Sequence, residues 1–212
     1  MKTLRVLILF ERSGIIREEF RKLGHDAASV DLQDTLIPGP HIRADIEELL
    51  TWNEKATRDT IQERYHLVIA HPPCTAVAVS GNRYYAGTPE RQKAIDLIKR
   101  IWDIPIKHLC IENPVGQINT YYPRMPKPQY IQPWQFGHPE SKKTGLWKRN
   151  LPDIVPTHVL PKPDSGHWQN QTKSGQNKLS PSPDRADIRS QTYLGIAMAI
   201  ANQWSDYLCQ ND

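Results

Sequence analysis

Two side chains capable of chemistry, a cysteine and a glutamate, each follow a short apolar run in this 212-residue chain. His66-Leu67-Val68-Ile69-Ala70 reads as a buried strand, and Pro72-Pro73 must end it, because proline cannot continue a central ladder. Cys74 is thereby set on a stiff turn just past a strand end, where ligands and chemistry collect in open α/β sheets. The run KHLCIEN closes in a similar way, on Glu112-Asn113-Pro114, with the proline restricting the residue before it. If the two runs are neighbouring strands, Cys74 and Glu112 face one crevice. A thiolate is a strong nucleophile, and a nearby carboxylic acid can protonate or anchor the group it attacks. Cys110 lies within its apolar run and reads as core, and Cys209 reads as inert. His71 has two readings, a tuner of the Cys74 thiol or a surface turn residue.

Other strand ends carry candidates too. LRVLILF runs into FERSG, residues 10–14, where a small residue and a glycine let backbone amides approach a cofactor. The same turn reads equally as an ordinary tight connection, and no G-x-G-x-x-G accompanies it. Asp31 closes a second strand at the place where a ribose hydroxyl pair is often held, and Asp45 closes a third. Either aspartate alone reads as a helix cap or a surface charge; with FERSG they outline an adenosine-type pocket. Arg83, Tyr84 and Tyr85, after the Cys74 turn, are candidates for closing over a substrate.

The elements that must position these groups alternate. After LRVLILF, SGIIREEFRKLG is an amphipathic helix with Ile15, Ile16, Phe20 and Leu23 on one face. DAASVDL and HIRADI follow as strands, residues 47–64 are helical in parts, and HLVIA is the fourth strand. PERQKAIDLIKRIWD is a helix opened by Thr88-Pro89, and KHLCIEN is the fifth strand. This spacing predicts a doubly wound, mostly parallel sheet. Most of the 18 prolines lie beyond residue 112, and residues 150–190 show no periodicity. A final helix, TYLGIAMAIANQWSDYL, offers an apolar face of Leu194, Met198, Ala201, Tyr207 and Leu208. The expected organisation is a catalytic, cofactor-binding core over 1–149, a short irregular recognition-like segment over 150–190, and a helix over 191–212 that returns to the core.

Composition narrows the function class. Mean hydropathy is -0.61, and the longest apolar runs are too short to span a bilayer, so no membrane role is expected. The first ten residues resemble a signal peptide but lead into Glu11-Arg12 without a small-residue cleavage site, which points to a cytoplasmic protein. Three unpaired cysteines exclude a disulfide scaffold, and the eight histidines form no ligand pattern, so no metal is expected. Net charge is +4, mildly basic and permissive for nucleic acid. ESKKTGLWKRN and TKSGQNK concentrate lysine and arginine and offer a phosphate-facing surface or a solvated loop. Trp134, Trp147 and Trp168 are candidates for base stacking, with packing the favoured reading for the first two.

The ordered set LILFERSG, Asp31-Leu32, RADIEEL, AHPPCTAVAVSG, CIENPVG and FGHPESKKTGLW resembles the DNA (cytosine-5)-methyltransferase family, in particular its short phage and prophage members. The resemblance runs over nearly the whole chain. It implies the Rossmann-like sheet of class I S-adenosylmethionine-dependent methyltransferases, with a small irregular insertion before the C-terminal helix. By the same resemblance Cys74 adds to carbon 6 of cytosine, Glu112 binds ring nitrogen 3 and the exocyclic amine, and Lys142 stands at the first arginine of a later motif. Phe10, Ser13, Gly14, Asp31, Asp45 and Pro72 are the implied cofactor contacts. Pro73, Ser80, Arg83 and Asn113 are the implied substrate contacts. The partner is DNA, either duplex with a flipped base or single-stranded, since a stacked base is out of reach. Departures are visible: Arg12 and Ile15 replace glycines, Thr75 and Pro114 alter two motifs, Thr144 replaces the second arginine, and only about forty residues stand where a large target-recognition region is usual. They keep open a pyrimidine-modifying enzyme with another substrate or transferred group, and a catalytically silent DNA-binding homologue.

Overall fold

The structure, a computed structural model, describes residues 2–51, 61, 63–174, 178 and 191–211. β1 (Arg5–Leu9) leads into α1 (Ile15–Lys22), β2 (Asp26–Asp31), β3 (His41–Arg43), α2 (Ile46–Thr51) and β4 (Leu67–Ala70). A short α3 (Asn82–Tyr85) and a long α4 (Pro89–Trp102) precede β5 (His108–Pro114), followed by α5 (Ile118–Tyr121), β6 (Gln129–Ile131), β7 (Thr144–Arg149) and α6 (Leu194–Asn211). The seven strands form one sheet in the order β3-β2-β1-β4-β5-β7-β6. The first five pair in parallel, and β7 runs antiparallel to both β5 and β6.

The central strands are covered on both faces, which explains their continuous apolar composition. Alternation divides them between two cores. Val6, Ile8, Leu67, Ile69 and Cys110 pack on one face beneath α1 and α6. Leu7, Leu9, Val68, Ala70, Leu109 and Ile111 pack on the other beneath α4. Helix starts are set by specific acceptors. The buried Glu11 carboxylate accepts from the backbone N–H of Ile16 at 2.7 Å and of Arg17 at 3.4 Å. Thr88 Oγ1 accepts from Arg91 N–H, with Pro89 at the first position of α4.

Several expectations are corrected here. Leu23 is exposed rather than on the core face of α1, and Arg17 is fully buried instead. Its guanidinium reaches Glu18, Ser29, Thr35 and the Ile37 carbonyl, so the buried charge is hydrogen-bonded throughout. On α6, Leu194 and Met198 are exposed; the buried stripe is Ile196, Ala197, Ile200, Ala201, Trp204 and Leu208, whose small alanines let α6 sit close against α1. β6 and β7 lie in a stretch whose sequence shows a composition change and a basic run but no strand signal. The expected helix over 47–64 is seen as α2, and most of the remainder lies outside the described residues. No described helix is long and apolar enough to cross a membrane.

Candidate active site

β4 and β5 are adjacent and in register, with Ala70 opposite Ile111, so the turns that follow them meet at the carboxyl edge of the sheet. Asn113 is 1% exposed, and its Nδ2 donates to the Pro72 carbonyl at 2.8 Å, tying the Cys74 turn to the end of β5. The turn is fastened again further on. Val79 N–H donates to the Val115 carbonyl, and Gln117 N–H donates to that of Val77. Gly116 permits this approach, since a Cβ there would lie 2.2 Å from the Val77 carbonyl oxygen. From below, the buried Arg91 donates to the Ala76 carbonyl at 2.9 Å and to Asn82 Oδ1 at 2.7 Å. Cys74 itself is half-buried at the head of this turn, where its carbonyl accepts the N–H groups of Val77 and Ala78.

Glu112 faces the other side of the same edge. Its Oε2 lies 3.0 Å from His71 Nδ1. Burial opposes its ionisation, but the hydrogen bond and charge of His71, the charge of Lys142 and a bond from Thr144 together hold its carboxyl below the usual range. His71 is thus a largely buried, carboxylate-bound side chain rather than a surface turn residue. Lys142 precedes β7, and its ammonium lies 5.8 Å from the centroid of Tyr193 and 3.4 Å from the Gln191 carbonyl. Cys110 is fully buried, and burial, with a contribution from the Glu112 charge, pushes its thiol far up. Glu11 is also raised, chiefly by burial, against the opposing influence of His71, two backbone hydrogen bonds and Arg17.

The other implied contacts cluster along the same edge. Phe10 takes a left-handed conformation, φ 60°, at the end of β1, and packs with Cys74 on one core. Ser13 is buried and Gly14 has φ 74°; a Cβ on Gly14 would meet the Arg17 guanidinium at 2.6 Å. Asp31 Oδ1 accepts from Gln33 N–H, leaving further acceptor capacity on the carboxylate. Asp45 Oδ1 accepts from the N–H groups of Glu47 and Glu48, so it caps α2. A cavity of about 310 Å³ beside the Cys74 turn is lined by Glu47 of α2, by Pro73, Thr75, Ala76 and Tyr85, and by Glu90, Lys93, Ala94 and Leu97 of α4, with none of the implied cofactor contacts among them. Pro73 thus lines the cavity, while Pro72 is buried behind it. Ser80 and Arg83 are exposed, and Tyr84 is 72% exposed.

The basic run ESKKTGLWKRN proves largely internal. Lys148 pairs with Asp153 and Gln129, Arg149 donates to the carbonyls of Trp102, Ile104 and Ile106, and Lys143 is exposed over the Tyr130 ring. Trp147 is core, and Trp134 and Trp168 stack on each other at 5.8 Å. The sequence reading missed Arg91, although it lies on the apolar stripe of Ile95, Ile98 and Ile101 at helical spacing. The Glu11 cap on α1 carries no such periodic signal. Among the described residues no group of three or more His, Cys, Asp or Glu is arranged to hold a metal ion.

No protein-family model matches the chain, and no curated protein matches it either. Solved structures do. A prophage-encoded protein of E. coli, described as a DNA modification methyltransferase, superposes with a TM-score of 0.50 at 14% identity, covering 77% of this chain and 54% of its own. The bifunctional kinase–methyltransferase WbdD superposes with a TM-score of 0.42 at 16% identity, covering 80% of this chain and 39% of its own. This chain therefore spans about half the length of the E. coli neighbour. Its mostly parallel seven-stranded sheet, with flanking helices and β7 reversed beside β5, is that of the Rossmann-like methyltransferase fold.

Proposed function

We propose that this chain transfers a methyl group from S-adenosylmethionine to carbon 5 of cytosine in DNA, with Cys74 forming a covalent adduct to the ring. The observation that carries this reading is the Asn113–Pro72 hydrogen bond, which fastens the nucleophile's turn to the strand that carries Glu112. The fold supports a methyltransferase, and the E. coli neighbour described as a DNA modification enzyme supports a DNA substrate.

The residues along the carboxyl edge suit the cofactor. Asp31 retains acceptor capacity for ribose hydroxyls. Phe10, Ser13, Gly14, Asp31, Asp45 and Pro72 would hold the nucleoside. When bound, S-adenosylmethionine supplies an electrophilic methyl group. The chain's own residues must then make carbon 5 of cytosine nucleophilic, which it is not in the free base. Addition of the Cys74 thiolate to carbon 6 does this, while Glu112 holds ring nitrogen 3 and the exocyclic amine and Lys142 holds Glu112 in charge balance. Pro73, Ser80 and Arg83 stand on the exposed side of the turn, where a flipped or single-stranded base would enter. Asn113 is buried and positions the turn rather than touching the base.

Transfer of a tritiated methyl group to mixed-sequence DNA, duplex and single-stranded, tests this reading. Wild-type protein is expected to label DNA, and Cys74→Ser and Glu112→Gln to fall at least about a hundredfold. No incorporation by folded wild-type protein into either form would overturn it.

A further inference from the structure

The imidazole of His71 stands between carboxylates from the two strands that flank its own. Alternation along β4 puts Leu67, Ile69 and His71 toward α1 and α6, and the same parity on β5 puts Cys110 and Glu112 there. His71 Nδ1 meets Glu112 Oε2 at 3.0 Å, and its backbone N–H donates to the Leu9 carbonyl, which fixes the ring's base. The side chain is 11% exposed, and its Nε2 is buried with no hydrogen-bond partner among the described residues. A histidine serving packing alone is expected to satisfy both nitrogens. Glu11, 4% exposed at the end of β1, lies within electrostatic reach of the same ring. The charged groups around the pair are Glu11 and Arg17 from β1 and α1, Glu112 from β5, and Lys142 from the segment before β7.

We propose that His71 is the proton reservoir of Glu112, a positioning and proton-lending role that rests on the cytosine reading above. A carboxyl held below its usual range is ionised at neutral pH and has no proton to give. Imidazole is the side chain that takes up and releases a proton between about pH 5 and 8. As the Cys74 thiolate adds, the Sγ–carbon 6 bond forms, the carbon 5–carbon 6 double bond moves to carbon 4–carbon 5, and an electron pair comes to rest on nitrogen 3. One proton passes from His71 Nδ1 to the Glu112 carboxyl and on to nitrogen 3. The result is a neutral imidazole, an ionised Glu112 and a neutral ring adduct, so the thiolate and imidazolium charges cancel. Collapse of the adduct returns the proton along the same path.

Two readouts on the full chain test the role. The substitution His71→Asn keeps an amide N–H for Glu112 but cannot hold a proton; His71→Gln is the second variant should the first not fold. By carboxyl 13C NMR, the Glu112 titration midpoint is expected to rise by about one pH unit or more in the variant. The rate of adduct formation on 5-fluorocytosine DNA is expected to fall on the alkaline side in wild type. In the variant it should be about tenfold or more slower and lack that alkaline limb. An unmoved midpoint, or a wild-type pH profile in the variant, overturns the reservoir while leaving the cytosine chemistry standing. No adduct with wild-type protein at any pH overturns the cytosine reading and the reservoir role with it; a shifted midpoint would then record charge coupling alone.

Discussion

Cys74 follows the end of β4 and Cys110 lies within the neighbouring β5, and their surroundings assign them opposite chemistry. Cys110 points into the core beneath α1 and α6 and is fully buried, and burial pushes its thiol well up. Cys74 is half-buried on a turn. Iodoacetamide at about pH 7.5, below the ordinary thiol value, is expected to modify Cys74 in the folded protein and to leave Cys110 untouched until denaturation, as read by peptide mass. Equal rates at the two would contradict the assignment. Glu112 makes a pH prediction with a definite sign. Its carboxyl is lower in the fold than in the unfolded chain, so it adds stability that is present above the unfolded value, about 4.3, and lost as pH falls through the folded value. The stability gap between wild type and Glu112→Gln, by urea unfolding, should therefore widen from about pH 3 to about pH 5 and then level off. A flat gap would show that the His71 contact does not favour the ionised form. At this scale the sequence carried the adjacency of the two strands that bring up Cys74 and Glu112, which pair as β4 and β5, whereas Lys142 was singled out by the family resemblance alone. The His71–Glu112 contact depended on strand register, which no single strand encodes, although the alternation Leu67, Ile69, His71 carries half of it.

At the scale of elements, the Cys74 turn is held by the ends of β5 and α4 rather than by its own sequence. Asn113→Ala would leave the buried Pro72 carbonyl without its partner, a loss of about 1–3 kcal/mol in urea unfolding, and Cys74 alkylation should speed up as the turn loosens. Unchanged stability and labelling would mean the two strand ends are joined in some other way. α6 shows why helix faces were harder to read than strand ends. It is apolar on more than half its circumference, so several stripes compete, and packing against α1 selects the one with Ala197 and Ala201. Trp204→Ala is accordingly expected to cost about 3–5 kcal/mol, whereas Met198→Ala on the exposed side should stay within about 0.5 kcal/mol. The reverse order in thermal or urea unfolding would put the core on the other stripe.

Across the whole molecule, the order β3-β2-β1-β4-β5-β7-β6 brings the turns after β4 and β5 to one edge and returns the chain along β7 so that Lys142 approaches Glu112. The parallel half was legible because its strands are short apolar runs separated by amphipathic helices. β6 and β7 were not, because three residues of QYI and a strand rich in Lys and Arg are recognisable only once Trp147 and Leu146 are seen buried against β5. For the same reason part of the cation run that suggested a nucleic-acid face, Lys148 and Arg149, proves to be engaged within the fold, while Lys143 stays exposed. What the fold leaves exposed beside the nucleophile is the short α3, with Arg83 and Tyr84 outermost. The central claim is that this edge attacks cytosine through Cys74. Intact mass spectrometry after incubation with S-adenosylmethionine and 5-fluorocytosine DNA tests it most directly. A mass increase equal to the bound oligonucleotide in wild type, and none in Cys74→Ser, is expected; an increase that persists in Cys74→Ser, or none in folded wild-type protein, would contradict it.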